Sequence, residues 1–456
     1  MATISLLLFT FFFSTVVYGF DTTLNVSQIL WSAEKSGIFL GSPSLVRCPL
    51  DGSIVASYDL FGKASNFGGT SRSRDNGVTW STPVNGGLSQ MYFATLFTRT
   101  SVISTDLSVY AMGVTGDYVF SGVAAQIVIA RSNDCGITWS QSSNLTDHTM
   151  AYATGPTPVL LTKDGRLWRA YERNDGGAWP SDYSVVVVSI MANATDVLSK
   201  TEWSVSGSLS FKTVEPLVPS NWSIPGIVSN FGWLEGGVVE TPDNSSSGIN
   251  VLLRVNSEPT ANKAALVHLA TPDGVPTFVQ WVDPFPGGNS KFSVRRDVQT
   301  GLYVTLANNV NVAKLVSEPP TCGVANGSSS YNDVSSSGMR TCCSIAQEVS
   351  CTSPITCIWC HANARNVLTL SVSRDLSKWT IVGEPILEDD TGFQLWSSEL
   401  FTGFQYVDWQ FDGGDGGDLI ASVRAAYRGA NAYHNSNRLL FVRVNDWRSL
   451  LTNASV

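Results

Sequence analysis

The chain has 456 residues, 43% of them hydrophobic and only 14% charged, with 39 glycines, 14 tryptophans and a formal net charge of −9. Phosphate recognition needs grouped Lys and Arg, and no such cluster occurs, so a nucleic-acid partner is excluded. No Pro/Ser-rich or charged linker divides the chain, which argues for one large folded unit.

The first element is "MATISLLLFTFFFSTVVYGF", an uncharged apolar run too short to span a bilayer comfortably, with small Gly19 as a cleavage point. It reads as a signal peptide over 1–19, with a signal anchor as the alternative, and leaves 20–456 as a single domain. No later segment has the length and apolarity of a membrane span, and Asn-x-Ser/Thr acceptors stand at Asn25, Asn144, Asn193, Asn221, Asn244, Asn326 and Asn453. The expectation is a secreted, extracellular glycoprotein with no membrane span after signal cleavage.

Along the mature chain, short β-branched runs such as "YSVVVVSI" and "INVLLRV" alternate with Asp-Gly turns, which predicts an all-β fold with almost no helix. "SRDNGVTW" (73–80) returns as "SNDCGITW" (132–139) and, more loosely, as "SRDLSKW" (373–379). The frame suits a hairpin: Asp75 accepts backbone N–H bonds across the turn, Gly77 takes positive φ, and Thr79 and Trp80 start the next strand. The terminal Trp alone marks six units, at Trp80, Trp139, Trp203, Trp281, Trp379 and Trp447. Their first strands are expected at "GSPSLV" (41), "MYFATLF" (91), "GPTPVLL" (155), "EGGVVE" (235), "KFSVRR" (291) and "FQYVDW" (404).

About four strands per repeat predicts a six-bladed β-propeller, in which each blade buries its faces against its neighbours. Residues 29–40 are expected to close the ring against the last blade. Seven blades follow if the cysteine-rich stretch hides strands, and a β-sandwich is the weaker alternative.

Six of the eight cysteines crowd between Cys322 and Cys360, an insertion at about 318–361 best read as disulfide-bonded. Its "CIWCH" (357–361) has c-type haem spacing, but disulfides explain those cysteines better. Cys48 and Cys135 either pair with each other or remain buried thiols. "DGGDGGD" (412–418) lacks the closing Glu of the helical calcium loop and reads as a turn. No metal-ligand set and no cofactor motif emerge.

Functional side chains of a propeller come from the inner strands and the loops beside them. The turn repeats and the blade count resemble the sialidase (neuraminidase) superfamily, whose members carry such Asp-box, or BNR, repeats on a six-bladed propeller. That resemblance implies three Arg residues on the sugar carboxylate, a Tyr nucleophile assisted by a Glu, and an Asp acid/base. "EGGVVETPDNSSSGINVLLRV" is similar to the family's Glu segment and second Arg, implying Glu235 and Arg254. "ARNVLTLSVSRDLSKW" implies Arg365 as the third Arg, and "FQYVDWQFDGG" implies Tyr406 as the nucleophile. Two positions depart from the pattern. The Phe-Arg-Ile-Pro motif of the first strand aligns on "LGSP" (40–43), so Gly41 replaces the first Arg. The loop "DLFGKASNFGGTSR" has no Asp after Asp59, which stands in as acid/base.

The residues support this reading chemically. A phenol near pKa 10 needs a carboxylate to take its proton before it attacks, and guanidinium groups grip a carboxylate through paired, charge-assisted bonds. Near the other strand ends stand Glu172, Arg295 and Arg296. Arg424, Tyr427 and His434 form a further cluster placed to bind substrate or move protons if they converge on Tyr406. The expectation is a carbohydrate-active enzyme hydrolysing a glycosidic bond at an acidic sugar, sialic or uronic, on a glycan or polysaccharide. The alternatives are a non-catalytic lectin-like propeller, a polysaccharide lyase acting on uronate, and a protein-interaction scaffold.

Overall fold

The computed structural model describes residues 24–310 and 363–453, apart from short segments at 33–35, 64–67, 86, 89–90, 116–124, 224–228, 243–247, 258–259, 289 and 393–394. The expected signal peptide, the cysteine-rich insertion with "CIWCH", and the acceptors Asn244 and Asn326 lie outside the described residues. Asn25, Asn144, Asn193 and Asn221 are exposed.

Six antiparallel sheets follow one another around a ring. Blade one is β2 (Ile38–Arg47), β3 (Ile54–Gly62), β4 (Gly69–Ser73) and β5 (Val84–Asn85); β1 (Leu24–Trp31) belongs to blade six. Blade two is β6 (Met91–Phe97), β7 (Val109–Thr115), β8 (Ile127–Ser132) and β9 (Ser143–Asn144). In blade three, β10 (Ala151–Ala153) and β11 (Leu160–Leu161) both pair with β12 (Arg166–Asn174). Beyond them lie β13 (Tyr183–Met191) and its partners β14 (Ser204–Val205) and β15 (Leu209–Ser210). Blade four is β16 (Gly232–Glu240), β17 (Ile249–Asn256), β18 (Ala264–Leu269) and β19 (Thr277–Val282). Blade five is β20 (Ser293–Arg296), β21 (Tyr303–Asn308), β22 (Val367–Ser373) and β23 (Thr380–Glu388). Blade six is β24 (Gly403–Asp412), β25 (Asp418–Ala426) and β26 (Arg438–Val444), completed by β1. Among the described residues, helix is limited to α1 (Phe211–Val214), α2 (Leu395–Phe401) and a few 3-10 turns.

The closing segment differs slightly from expectation. It is β1, at 24–31, that pairs with β26, while β2 already begins at Ile38. Blade three also differs: Pro156 and Pro158 lack the N–H a ladder requires, so its inner strand splits into β10 and β11 around them.

The repeated turns join the third and fourth strands. Asp75 accepts the Thr79 N–H at 2.9 Å and its hydroxyl at 2.5 Å, and the Ser73 hydroxyl accepts the Gly77 N–H at 2.7 Å. Asp134 and Ser132 repeat the pattern with Thr138 and Gly136. Asp375 instead takes the N–H groups of Ser377 and Lys378. Trp80 does not start a strand. It folds back over the turn, with its indole N–H on the Gly77 carbonyl and its ring 5.6 Å from Phe441 of blade six. Gly77 is required there, because a Cβ would lie 2.1 Å from the Phe441 ring. Trp447 likewise sits in a 3-10 turn rather than a strand. These turns seat blades one, two and five on the blade before each. The Cys48–Cys135 disulfide reinforces that contact, linking the first hairpin of blade one to the turn of blade two.

The inner strands share one further feature. In blades one, two, four and six the ladder slips beside a non-glycine residue of positive φ: Ser42 (39°), Phe93 (55°), Glu235 (55°) and Tyr406 (53°). A bulge of this kind re-aims one side chain out of the pleat, at the expense of local strain.

Candidate functional site

Two of the four bulges meet. The Tyr406 hydroxyl donates to Glu235 Oε1 at 2.5 Å, and Arg254 of β17 donates from Nη1 to Glu235 Oε2 at 2.8 Å. Glu235 is thus held at both oxygens, one by a phenol and one by a guanidinium. Burial and the Glu235 charge raise the Tyr406 pKa, while Arg254, Arg365 and Arg424 pull it down. Burial works against the Arg254 charge, yet Glu235 and Tyr406 hold that guanidinium firmly cationic.

Arg365 enters from the residues before β22, where its carbonyl accepts the Phe404 N–H at 2.8 Å and ties blade five to blade six. Its guanidinium donates to Gln405 and lies 6.0 Å from the Tyr406 ring and 5.3 Å from the Tyr433 ring. Arg424 of β25 stands between the rings of Phe61 (4.4 Å) and Tyr406 (4.9 Å), with Nη2 on the His434 carbonyl at 2.5 Å. Burial lowers its pKa to about 10, so it remains charged at neutral pH. Among the described residues, the buried Nε atoms of Arg254, Arg365 and Arg424 have no hydrogen-bond partner.

Asp59 lies on β3 opposite Gly41 and accepts the N–H of Phe93 at 3.0 Å. Burial raises its pKa against that bond, a bond from Ser42 and the charge of Arg424. A Cβ at Gly41 would stand 2.3 Å from Asp59 Oδ1. His434 packs edge-on against Phe61 at 5.4 Å, and burial with the Arg424 and Arg365 charges holds it well below the usual histidine range, hence neutral.

The structure therefore gathers Tyr406, Glu235, Arg254, Arg365, Arg424, Asp59 and His434. Tyr427 is not among them: its ring packs on Phe404 at 5.5 Å and its hydroxyl bonds Asp390.

Beneath this cluster lies a layer of buried charge that the residue pattern alone does not reveal. Arg169 donates to the carbonyls of Met112, Phe93 and Gly155. Asp408 accepts from the Ser44 hydroxyl (2.6 Å) and the Leu45 N–H (3.2 Å), with Arg295 at 3.6 Å. Glu172 and Lys291 complete the layer. Glu172 and Arg295 stand out in the sequence only as strand-end charges; nothing marks Arg169, Lys291 or Asp408 as buried.

Among the described residues, Cys48, Asp51 and Cys135 form the one cluster of metal-ligand type, and the disulfide consumes two of its three ligands.

No protein-family model and no curated protein matches the chain. Solved structures do. A Hadza microbial sialidase superposes with TM-score 0.51 at 14% identity over 90% of this chain, which spans only 66% of that longer protein. An α-L-arabinofuranosidase of Fusarium graminearum, in complex with an iminosugar inhibitor, gives TM-score 0.54 at 11% identity, with 94% of this chain and 99% of that one covered. The leech intramolecular trans-sialidase complexed with 2,7-anhydro-Neu5Ac gives TM-score 0.51 at 10% identity, covering 94% and 71%. The architecture is therefore a six-bladed β-propeller of the sialidase-like type.

Proposed function

We propose that this chain is a secreted glycosidase of sialidase-like fold that cleaves the bond beside a carboxylate-bearing sugar, of sialic or uronic type, on a glycan or polysaccharide. The observation that carries this reading is the charge balance at the Tyr406–Glu235 pair. Three guanidinium groups with unused Nε donors surround two carboxyls, one of which, Asp59, burial drives toward its neutral form. A buried excess of positive charge is costly unless an anion joins it. A sugar carboxylate supplies that anion and pairs with the guanidinium groups in charge-assisted bonds.

In the first half-reaction, the Tyr406 oxygen bonds to the anomeric carbon as the bond to the leaving-group oxygen breaks. The phenol proton passes to Glu235, and protonated Asp59 delivers its proton to the leaving oxygen. In the second half-reaction, water gives a proton to Asp59 and its oxygen to the anomeric carbon, the Tyr406–carbon bond breaks, and Glu235 returns the phenol proton. Because burial raises the Tyr406 pKa, the phenol is protonated at rest and needs the adjacent base. Gly41 stands where the family pattern has its first Arg, and Arg424 from blade six offers the third cation in its place.

One observation favours a second reading, a lectin-like pocket. Asp59 fills the space in front of Gly41, so the family's usual clamp is not reproduced. Incubating the secreted protein with sialylated and uronate-containing glycans separates the two. Turnover by wild type and its loss in Glu235→Gln support the glycosidase; saturable binding without turnover, unchanged in Tyr406→Phe, supports the lectin.

A further inference from the structure

Glu172 and Lys291 lie under the reactive pair, wholly or almost wholly buried. Glu172, on β12 of blade three, accepts the N–H of Gly236 in blade four through Oε1 at 2.7 Å. Lys291, just before β20 of blade five, donates from Nζ to the carbonyl of Val407 in blade six at 2.6 Å and to the Ser293 hydroxyl at 2.8 Å. Gly236 follows Glu235, and Val407 follows Tyr406. Each buried group therefore grips the backbone immediately after one of the two positive-φ bulges. The side chains of Lys291 and Glu235 also share the space in front of Gly155, where a Cβ would lie 3.0 Å from Lys291 Cγ and 3.2 Å from Glu235 Cγ.

A positive-φ bulge on a non-glycine residue relaxes unless the surrounding structure over-determines it. The inner strands β16 and β24 belong to different blades, so the ladder within blade four cannot hold its bulge against blade six. Hydrogen bonds that cross between blades can. We propose that Glu172 and Lys291 are positioning residues: they lock the two bulges at the separation the Tyr406–Glu235 bond requires, without touching substrate. The role rests on the reading of that pair as reactive.

The charge state fits a fixed brace. Glu172 faces Glu235 on β16 and Arg169 on its own strand, and burial raises its pKa to about 8 against the N–H bonds of Gly236 and Glu235. Lys291 faces Asp408 on β24, Glu235 on β16, Arg295 on β20 and Arg169 on β12, and burial lowers its pKa to about 7. Below pH 8 the brace on Glu235 is chiefly a neutral acid, so it adds little repulsion to the neighbouring carboxylate. Glutamine copies that form; alanine removes the acceptor.

The test measures kcat and KM on an acidic glycan for wild type, Glu172→Gln, Glu172→Ala and Lys291→Met. Amide exchange across 235–237 and 405–408, and folding by near-UV circular dichroism, are recorded on the same samples. Because a small displacement of reacting groups costs on the order of 100-fold, Glu172→Ala and Lys291→Met are expected to lose about that much in kcat with KM nearly unchanged. Glu172→Gln is expected to stay within about threefold of wild type, since its oxygen still accepts the Gly236 N–H. Exchange should quicken across 235–237 in Glu172→Ala, but not in Glu172→Gln. Glu172→Gln as inactive as Glu172→Ala overturns the proposal, because the residue then moves a proton. So does unchanged exchange in Glu172→Ala, whether or not the variant is active. A wild type that hydrolyses no acidic glycan removes the glycosidase reading alone, since the exchange comparison still decides whether Glu172 holds the bulge.

Discussion

The Tyr406 hydroxyl and the Glu235 carboxylate, 171 residues apart in the chain, share a 2.5 Å hydrogen bond between blade six and blade four. In the proposed mechanism, removing the phenol removes the attacking oxygen, and removing the carboxylate leaves a phenol that keeps its proton. Tyr406→Phe is expected to abolish turnover, and Glu235→Gln to lower kcat by roughly 10²- to 10⁴-fold, the usual worth of a positioned base. Both variants should still bind an acidic monosaccharide in calorimetric titration, because Arg365 and Arg424 remain.

In the proposed site, Arg424 supplies the cation that the Gly41 position lacks. Its guanidinium lies between two aromatic rings and has an unused Nε. Arg424→Met is expected to weaken binding of a carboxylate sugar by roughly tenfold to a hundredfold, the worth of a hydrogen bond to a charged group. Binding of the methyl ester of the same sugar should change far less. Equal losses for acid and ester would count against an anion-binding role.

Gly41 and Asp59 compete for one space. An alanine at position 41 would place its Cβ 2.3 Å from Asp59 Oδ1, and Asp59 is held by the Phe93 N–H. Gly41→Ala should therefore lower turnover by displacing the acid while sparing the remote turns at Asp75 and Asp134. The check is kcat alongside a thermal melt: a melt within a few degrees of wild type with kcat sharply reduced is the expected pair of results.

Stability should also respond to pH through Glu172. Its folded pKa of about 8 lies above the ordinary carboxyl value of 4.5, so between those limits the folded state holds a proton that the unfolded state has released. Stability from this group is then fully present below pH 4.5 and falls as pH rises toward 8. Lys291 runs the other way in a higher window, from about 7 to its ordinary 10.5, where the unfolded state holds the extra proton. Between pH 5 and 7 Glu172 acts without it. The melting temperature of Glu172→Gln relative to wild type is expected to climb steadily over that interval; a flat difference would contradict a buried carboxyl with a raised pKa.

The sequence by itself determined the repeat and pointed to six blades, because period and turn chemistry are local; ring closure at six was decided by the structure. Ser-x-Asp-x-Gly-x-Thr closes its own hairpin, and an apolar strand between Asp-Gly turns has few other ways to bury two faces. Resemblance to a family also pointed to Tyr406, Glu235, Arg254 and Arg365 as candidates. What only the tertiary structure decided is which charges face one another: Arg424 stands over the Tyr406 ring, Tyr427 turns away to Asp390, and Glu172 and Lys291 bond the backbone beside the two bulges. A side chain's register on its own strand follows from alternation along the chain. Its partner on another blade depends on ring closure, which brings together residues that no local pattern relates.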